Sequence, residues 1–341
     1  MCLFPLLRSK KETKLISLDP YKITIKKKYI SYFCILSLFF SCNNNLKTMT
    51  KSSINIIPKP ISLKSSGSSF DLLSINGIYI KNNSTDEKEI AEMFQNYLRP
   101  LKKLKIEHST YDVKNKINIS LNPKHNLKEE SYKLKIDDEK SITLEASSKS
   151  GLFYGFQSFR QLCDPYLEKK IKPNNTAIPS CDIIDTPSFS YRGMHLDVSR
   201  HFFDIEFVKT YIDMIALHKM NVFHWHLTDD NGWRIEIKKY PLLTEKSAWR
   251  VDRRHEPWKE QSPANPEEKA TYGGFYTQEE IKDVVAYAKK RNIMIIPEIE
   301  MPGHTSEVFA AYPELSCNNK YIPVNPGSYW PNIDIFCAGN D

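Results

Sequence analysis

The chain has 341 residues, of which 40% are hydrophobic and 26% charged, with a formal net charge of +7. That balance describes an ordinary globular protein and excludes a disordered or fibrous one. The lysines are scattered through the first half and build no arginine-rich stripe, so the positive charge carries no nucleic-acid function.

Residues 1–48 read as a leader. Lys26-Lys27-Lys28 is a basic region, and Tyr29 to Phe40 is an apolar run of signal-peptide length, too short for a membrane-spanning helix. Ser41-Cys42 followed by Asn43-Asn44-Asn45 resembles a bacterial lipoprotein cleavage site, which makes Cys42 the expected point of lipid attachment. The expected location is the periplasm, outer membrane or cell surface of a bacterium; plain signal cleavage or a short anchor is the alternative. Residues 1–25 are polar and carry no apolar run of their own, which points to a start codon assigned too early.

Residues 54–185 read as a mixed α/β domain. Ile78 to Ile80, Lys116 to Leu121, Tyr132 to Ile136 and Ser141 to Glu145 show the alternation of strands. Ile90, Met93, Phe94, Tyr97, Leu98 and Leu101 recur at helical spacing. Ser84 with Glu87 predicts a capping box for that helix, and Pro100 its end. A second helix is expected over Gly151 to Leu162. Nothing in this region has the pattern of a catalytic site.

From residue 190 to 341 the rhythm becomes strand, helix, strand, helix, strand. Met194 to Val198, Asn221 to Leu227 and Ile293 to Ile299 are the expected strands. Asp204 caps a helix with Ile205, Val208, Ile212 and Ile215 on one face. Thr277 with Glu280 forms a second capping box before Ile281, Val284, Val285 and Ala288. Alternating strands and amphipathic helices argue for a parallel sheet, here the first three βα units of a β/α barrel. Residues 228–276, with Pro257, Pro263 and Pro266, read as a loop on the carboxyl side of the strands. A full barrel needs roughly 250 residues, so five of its eight strands do not fit before Asp341.

Arg200, Asp229, Asp230 and His304 each fall just past a strand end, which in a parallel barrel brings them to one mouth. Arg donates paired hydrogen bonds, and a carboxylate beside His fixes its tautomer, so Asp229 with His304 is the expected orienting pair. His224 and His226 share a strand face and suit either a metal site or packed, hydrogen-bonded histidines; the second reading is preferred, and it extends to His195 and His201. Glu298 and Glu300 also share a face and are candidates for an acid–base pair, against the simpler role of strand-end carboxylates serving loops. No Cys-x-x-Cys occurs, which speaks against a zinc ribbon; Cys317 and Cys337 are candidates to pair across a loop in an exported chain.

The run 192–203, Arg-Gly-Met-His-Leu-Asp-Val-Ser-Arg-His-Phe-Phe, resembles the first barrel strand of glycoside hydrolase family 20, the β-N-acetylhexosaminidases. The run 224–234, His-Trp-His-Leu-Thr-Asp-Asp-Asn-Gly-Trp-Arg, is similar to the second; 272–277 and 296–304, ending Pro-Glu-Ile-Glu-Met-Pro-Gly-His, are similar to the next helix entry and third strand. Ile-Ile-Pro-Lys-Pro (56–60) and Ser-Gly-Leu-Phe-Tyr-Gly (150–155) resemble the α/β domain that precedes the barrel. The resemblance implies removal of terminal β-linked N-acetylglucosamine or N-acetylgalactosamine from glycans or chitooligosaccharides, with retention. The substrate's own acetamide oxygen is the nucleophile, an exception to the two-carboxylate scheme. It implies no metal and no organic cofactor. Arg200 would hold hydroxyls of the terminal sugar, Asp229, in preference to Asp230, would orient His304, and His304 would support the acid.

The family's Asp-Glu pair, usually after Gly-Gly, is absent: the sole Gly-Gly, Gly273-Gly274, is followed by Phe275. The expectation is therefore an inactive fragment of an active enzyme. Two other readings are a glycan-binding surface lipoprotein without catalysis and, less favoured, a metal-dependent barrel hydrolase using His224, His226 and His304.

Overall fold

The computed structural model describes residues 54–123, 127–137, 141–327 and 335–339; the leader and Cys42 lie outside them. Among the described residues no helix is long and apolar enough to cross a membrane.

The first region is a seven-stranded mixed sheet. Its strands are β1 (Ser62–Asp71), β2 (Ile78–Ile80), β3 (Ile106–His108), β4 (Ile117–Leu121), β5 (Tyr132–Asp137), β6 (Ser141–Ala146) and β7 (Ala177–Asp185). They lie in the order β1-β7-β5-β6-β4-β2-β3. The four expected strands are all present. The three that sequence reading passed over have weak patterns: β1 is serine-rich and shifts register between Ser65 and Ser69, where Gly67 takes φ +82°, β3 has three residues, and β7 carries Pro179.

Two helices cover this sheet, α1 (Thr85–Leu98) and α2 (Lys149–Leu162). Ser84 and Glu87 cap α1 reciprocally, and the helix stops before Pro100. Ile90, Phe94 and Leu98 of α1 and Leu152, Phe156 and Phe159 of α2 are buried, with Phe94 4.8 Å from Phe156 and 4.9 Å from Phe159 between ring centres. Gly151 and Gly155 lie one turn apart where α2 presses on the sheet. A Cβ at Gly151 would stand 2.3 Å from Ser131 O, and one at Gly155 2.2 Å from Leu144 Cδ1.

The second region is built on a three-stranded parallel sheet: β8 (Gly193–Asp197), β9 (Val222–His226) and β10 (Met294–Glu298), with β9 in the middle. Helices α3 (Ile205–Leu217) and α4 (Gln278–Lys289) are capped by Asp204 and by the Thr277–Glu280 box. They pack against each other on one side of the sheet. Phe223 and Trp225 are fully buried, Phe223 beside Tyr211 of α3 and Trp225 beside Tyr276, while the alternate residues His224 and His226 face the opposite side.

Part-buried ion pairs tie the two regions. Lys219 Nζ, between α3 and β9, lies 3.1 Å from Asp185 Oδ2 and 3.1 Å from Tyr132 Oη. Arg192 pairs with Glu130 through both terminal nitrogens, at 3.0 and 3.1 Å. The segment 228–276, expected as a loop on the carboxyl side of the strands, is packed over much of 228–251, while most of 252–271 is exposed. It contains a tight turn pairing Asp229 with Gly232, a helical turn at Leu242–Glu245, and a bridge of Trp249–Arg250 with Tyr272–Gly273. The reason is a pair of buried arginines, described next.

Candidate active site

Parallel register carries the chemistry to one end of the sheet. His195 pairs with His224 and Asp197 with His226 across β8 and β9, and His226 pairs with Glu298 across β9 and β10. Arg200, Asp229 and His304 follow these strand ends and meet there.

Asp229 is the centre. It is 1% exposed, and both its oxygens are occupied. Oδ2 lies 2.6 Å from Arg200 Nη2 and 2.9 Å from His226 Nε2; Oδ1 accepts from the Asp230 N–H at 2.8 Å and lies 3.1 Å from His304 Nδ1. A buried carboxylate needs such compensation, because desolvation without partners costs several kcal/mol. Arg200 also donates from Nη1 to Asp197 Oδ2 at 2.9 Å and keeps a third of its side chain exposed, so its guanidinium is aimed yet reachable.

His304 Nδ1 makes its hydrogen bond with Asp230 Oδ2 at 3.3 Å, while Asp229 Oδ1 lies 3.1 Å away as an ionic contact, so the ring is oriented by Asp230 with Asp229 beside it. Asp230 is anchored separately, its Oδ1 accepting from Ser306 N at 3.2 Å and Ser306 Oγ at 2.9 Å. His304 sits at φ +51°, a left-handed backbone that non-glycine residues adopt sparingly, and one enriched at functional sites.

Glu298 gathers the strand histidines. Its Oε2 is 2.6 Å from His224 Nε2, 2.6 Å from His226 Nδ1 and 3.7 Å from His195 Nε2. Burial pushes the Glu298 carboxyl up, but His226, Glu300 and His224 outweigh it and hold the group low; Glu300 is raised by burial and by Glu298 beside it. The two carboxyls suggested as a pair are thus driven apart in proton affinity. Two sets of potential metal ligands exist among the described residues, His195–His226–Glu298 and Asp229–Asp230–His304. His224, His226 and His304, the trio of the metal-hydrolase reading, do not form a set. His201 stands apart from these groups, 3.1 Å from Tyr272 Oη.

Sequence reading missed the residues that hold this mouth together. Arg234 is fully buried and donates to five backbone carbonyls: Val198, Ser199, Asn231, Ala248 and Gly274. Arg250, also buried, donates to Asn231 O at 3.2 Å and Arg200 O at 2.7 Å. Between them they fix the backbone next to Arg200 and next to Asp230. Desolvation pulls both guanidinium groups down to about 10, still charged at neutral pH. Glu307 was also missed. Its carboxyl is fully buried with neither oxygen partnered among the described residues, and burial raises its proton affinity well above the ordinary range. A basic or acidic residue in an apolar motif is the available signal for such groups, but its partners are backbone atoms that no spacing rule reveals.

Cys317 and Cys337 form a disulfide with Cα atoms 4.7 Å apart, and Cys163 and Cys181 are free and buried. A cavity of about 1060 Å³, lined by Glu130, Tyr191, Asn221 and Met294 among others, opens at the other end of the strands and shares no residue with the mouth.

Comparison with known proteins places these features. The model of the glycosyl hydrolase family 20 catalytic domain matches residues 189–340, and that of domain 2 of the same family matches residues 53–186. A β-hexosaminidase of Porphyromonas gingivalis is 38% identical over 320 residues, covering 90% of this chain and 38% of its own. A β-hexosaminidase of Vibrio furnissii is 48% identical over 189 residues, 55% of this chain and 29% of its own. A mutant Streptomyces plicatus β-hexosaminidase, solved in complex with the product GlcNAc, superposes with a TM-score of 0.71 at 31% identity, covering 84% of this chain and 53% of that one. The chain thus spans less than two-fifths of the length of these two curated relatives.

Proposed function

The chain belongs to glycosyl hydrolase family 20, and from that premise we propose that it supplies the hydroxyl-binding half of an exo-acting β-N-acetylhexosaminidase. The substrate is a terminal β-linked N-acetylglucosamine or N-acetylgalactosamine on a glycan or chitooligosaccharide. Arg200 donates to the hydroxyls of that sugar, and Asp229 orients His304, which supports the acid. The observation that carries this reading is the saturated Asp229 carboxylate, which aims Arg200 and His304 from one buried point. An Arg fork suits vicinal hydroxyls, and its orientation is set before the sugar arrives. The reaction is retaining and substrate-assisted. It needs an Asp to hold the acetamide and a Glu to protonate the leaving oxygen, and no Gly-Gly-Asp-Glu occurs in these residues. We further propose that the protein is exported and lipid-anchored at Cys42.

Hydrolysis of an aryl N-acetyl-β-glucosaminide by the enzyme carrying this sequence is the test. Arg200→Ala is expected to raise KM and lower kcat/KM by about a hundredfold or more, a loss of hydrogen bonds to a charged donor. Equal turnover of the corresponding glucoside would contradict the substrate class, since a site built for an acetamide rejects a sugar lacking it. The 341-residue chain alone is expected to bind N-acetylglucosamine without cutting; hydrolysis by that chain, abolished in His304→Ala, would overturn the division of labour.

A further inference from the structure

The turn that carries His304 is closed into a ring. From Pro302 the chain runs through His304 and the helical turns Ser306–Ala310 and Pro313–Leu315 to Cys317. Cys317 is joined to Cys337, whose N–H donates to Leu315 O at 3.0 Å. The Phe336 N–H then donates to Pro302 O at 3.0 Å, back where the turn began. Thr305 Oγ1 donates to the same carbonyl at 2.8 Å. His304, at φ +51°, therefore stands between a carbonyl held from two directions and Ser306, whose N–H and hydroxyl both donate to Asp230. The Phe336 ring packs on the cluster of Trp233, Leu243 and Val308, and meets Phe309 edge to face at 6.0 Å. Trp233 pairs with Thr228 across the tight turn that carries Asp229 and Asp230, while Val308 and Phe309 follow His304 in the chain. One side chain thus braces both partners of the His304–Asp230 hydrogen bond.

We propose that Phe336, seated by the Cys317–Cys337 disulfide, is a positioning residue: it holds the His304 turn against Asp230, and opening the disulfide releases that turn. Residues 335–339 lie outside every helix and strand described above and share with the rest a single-pair antiparallel bridge, Ser316 to Phe336. Ordering so short an irregular segment costs chain entropy that its own hydrogen bonds barely offset. A cross-link between cysteines 20 positions apart removes much of that cost by keeping Phe336 close to Pro302 in every conformation of the loop. The effect has a direction. Arg200 is held from other elements, by Asp197 at its guanidinium and by Arg250 at its carbonyl, so it stays in place when His304 is released. Opening is thiol–disulfide exchange with an added dithiol. Its thiolate attacks one sulfur to form a mixed disulfide, its second thiolate closes the reagent into a cyclic disulfide, and Cys317 and Cys337 leave as thiols, two electrons having passed to the protein. This deepens the reading of His304 as the group that supports the acid and rests on it for the consequence in catalysis. The seating itself is observable without a sugar.

The test is nuclear magnetic resonance at one fixed pH on the 341-residue chain with ring-labelled histidine and guanidinium-labelled arginine, before and after reduction with dithiothreitol. His304 is assigned from the spectrum of His304→Gln and Arg200 from that of Arg200→Lys. The expected result is that the His304 ring signals shift and broaden on reduction, that the Arg200 signals keep their positions, and that reoxidation restores the first spectrum. Phe336→Ala keeps the disulfide and is expected to move the same His304 signals; it decides the matter if the reduced chain unfolds. In the enzyme carrying this sequence, either change is expected to lower kcat by about tenfold or more while KM moves by less than about twofold, since the chemistry loses its support and the hydroxyl clamp does not. His304 signals that ignore Phe336→Ala, or that move no more than those of Arg200, would overturn the proposal. A released His304 with kcat unchanged would support the clasp and count against the role given to His304 in the proposed function.

Discussion

The two regions solve the same packing problem with opposite chemistry. In the α/β domain the strand residues that face the helices are apolar, and the buried set runs through Ile78, Ile117, Leu134, Ile142 and Leu144. In the barrel region the helix-facing side is equally apolar, with Phe223 and Trp225, but the other side carries His195, Asp197, His224, His226 and Glu298. Barrel interiors are usually filled by bulky branched side chains. Here that side is a charge network held in place by buried arginines. Hydrophobic burial is non-directional and stabilises any well-filled arrangement, whereas a buried polar network is stable only when each group meets its partner. The first kind of region is therefore robust, and the second is accurate.

Substitutions can break or sharpen this contrast. Arg234→Met is expected to cost at least about 4 kcal/mol, because five carbonyls lose a shared donor inside the protein. Denaturant unfolding measures it, and a loss below about 1 kcal/mol would remove Arg234 as the keystone of the mouth. The matching change in the other region is Leu144→Ala, fully buried under Gly155, with an expected cost of about 3 kcal/mol from lost burial plus the cavity. Its effect should be confined to stability, leaving the arrangement of Arg200, Asp229 and His304 untouched.

Lys219 lies between the regions. Lys219→Met leaves Asp185 and the Tyr132 hydroxyl without their cation and is expected to cost about 2–3 kcal/mol. Adding Asp185→Asn should recover part of that. A double-mutant cycle showing no coupling would mean that the pair does not bind one region to the other.

Glu307→Gln runs the other way. The folded chain holds a proton on Glu307 that the unfolded chain releases above the ordinary carboxylate range, so this group subtracts stability as pH rises past 4.5. The amide removes that penalty, and unfolding at pH 7.5 should show a gain in stability that is absent at pH 4. An equal gain at both pH values would show that the carboxyl is already paired. The smallest effects are the helix caps. Ser84→Ala and Thr277→Ala should each cost about 1 kcal/mol, alike in both regions, since capping is local. A cost at Thr277 several times that at Ser84 would mean that the cap also supports the mouth.

Much of this architecture was legible in the sequence because it is local. Periodicity located α1, α3 and α4, and the box Ser84–Glu87, Asp204 and the box Thr277–Glu280 marked their starts. The three barrel strands were visible as apolar runs ending in charged residues, and their parallel order made Arg200, Asp229 and His304 neighbours. The serine-rich β1 was invisible, since its place in the sheet is set by pairing with β7 rather than by its own alternation. At the mouth, the sequence pointed to Asp229 over Asp230 as the partner of His304, whereas the structure gives the hydrogen bond with Nδ1 to Asp230 and leaves Asp229 as an ionic contact at 3.1 Å.

What the sequence by itself determined was the periodicity and the residue types: which faces are apolar, where helices begin, and which acids, bases and guanidinium groups stand at strand ends. Only the tertiary structure decided their roles. It turned His226 from a packing histidine into a bridge between Glu298 and Asp229, and gave Arg234 five carbonyls drawn from residues 198 to 274. The physical reason is that helix and strand patterns arise from contacts between near neighbours in the chain. A buried charge, by contrast, is defined by whichever distant atoms surround it.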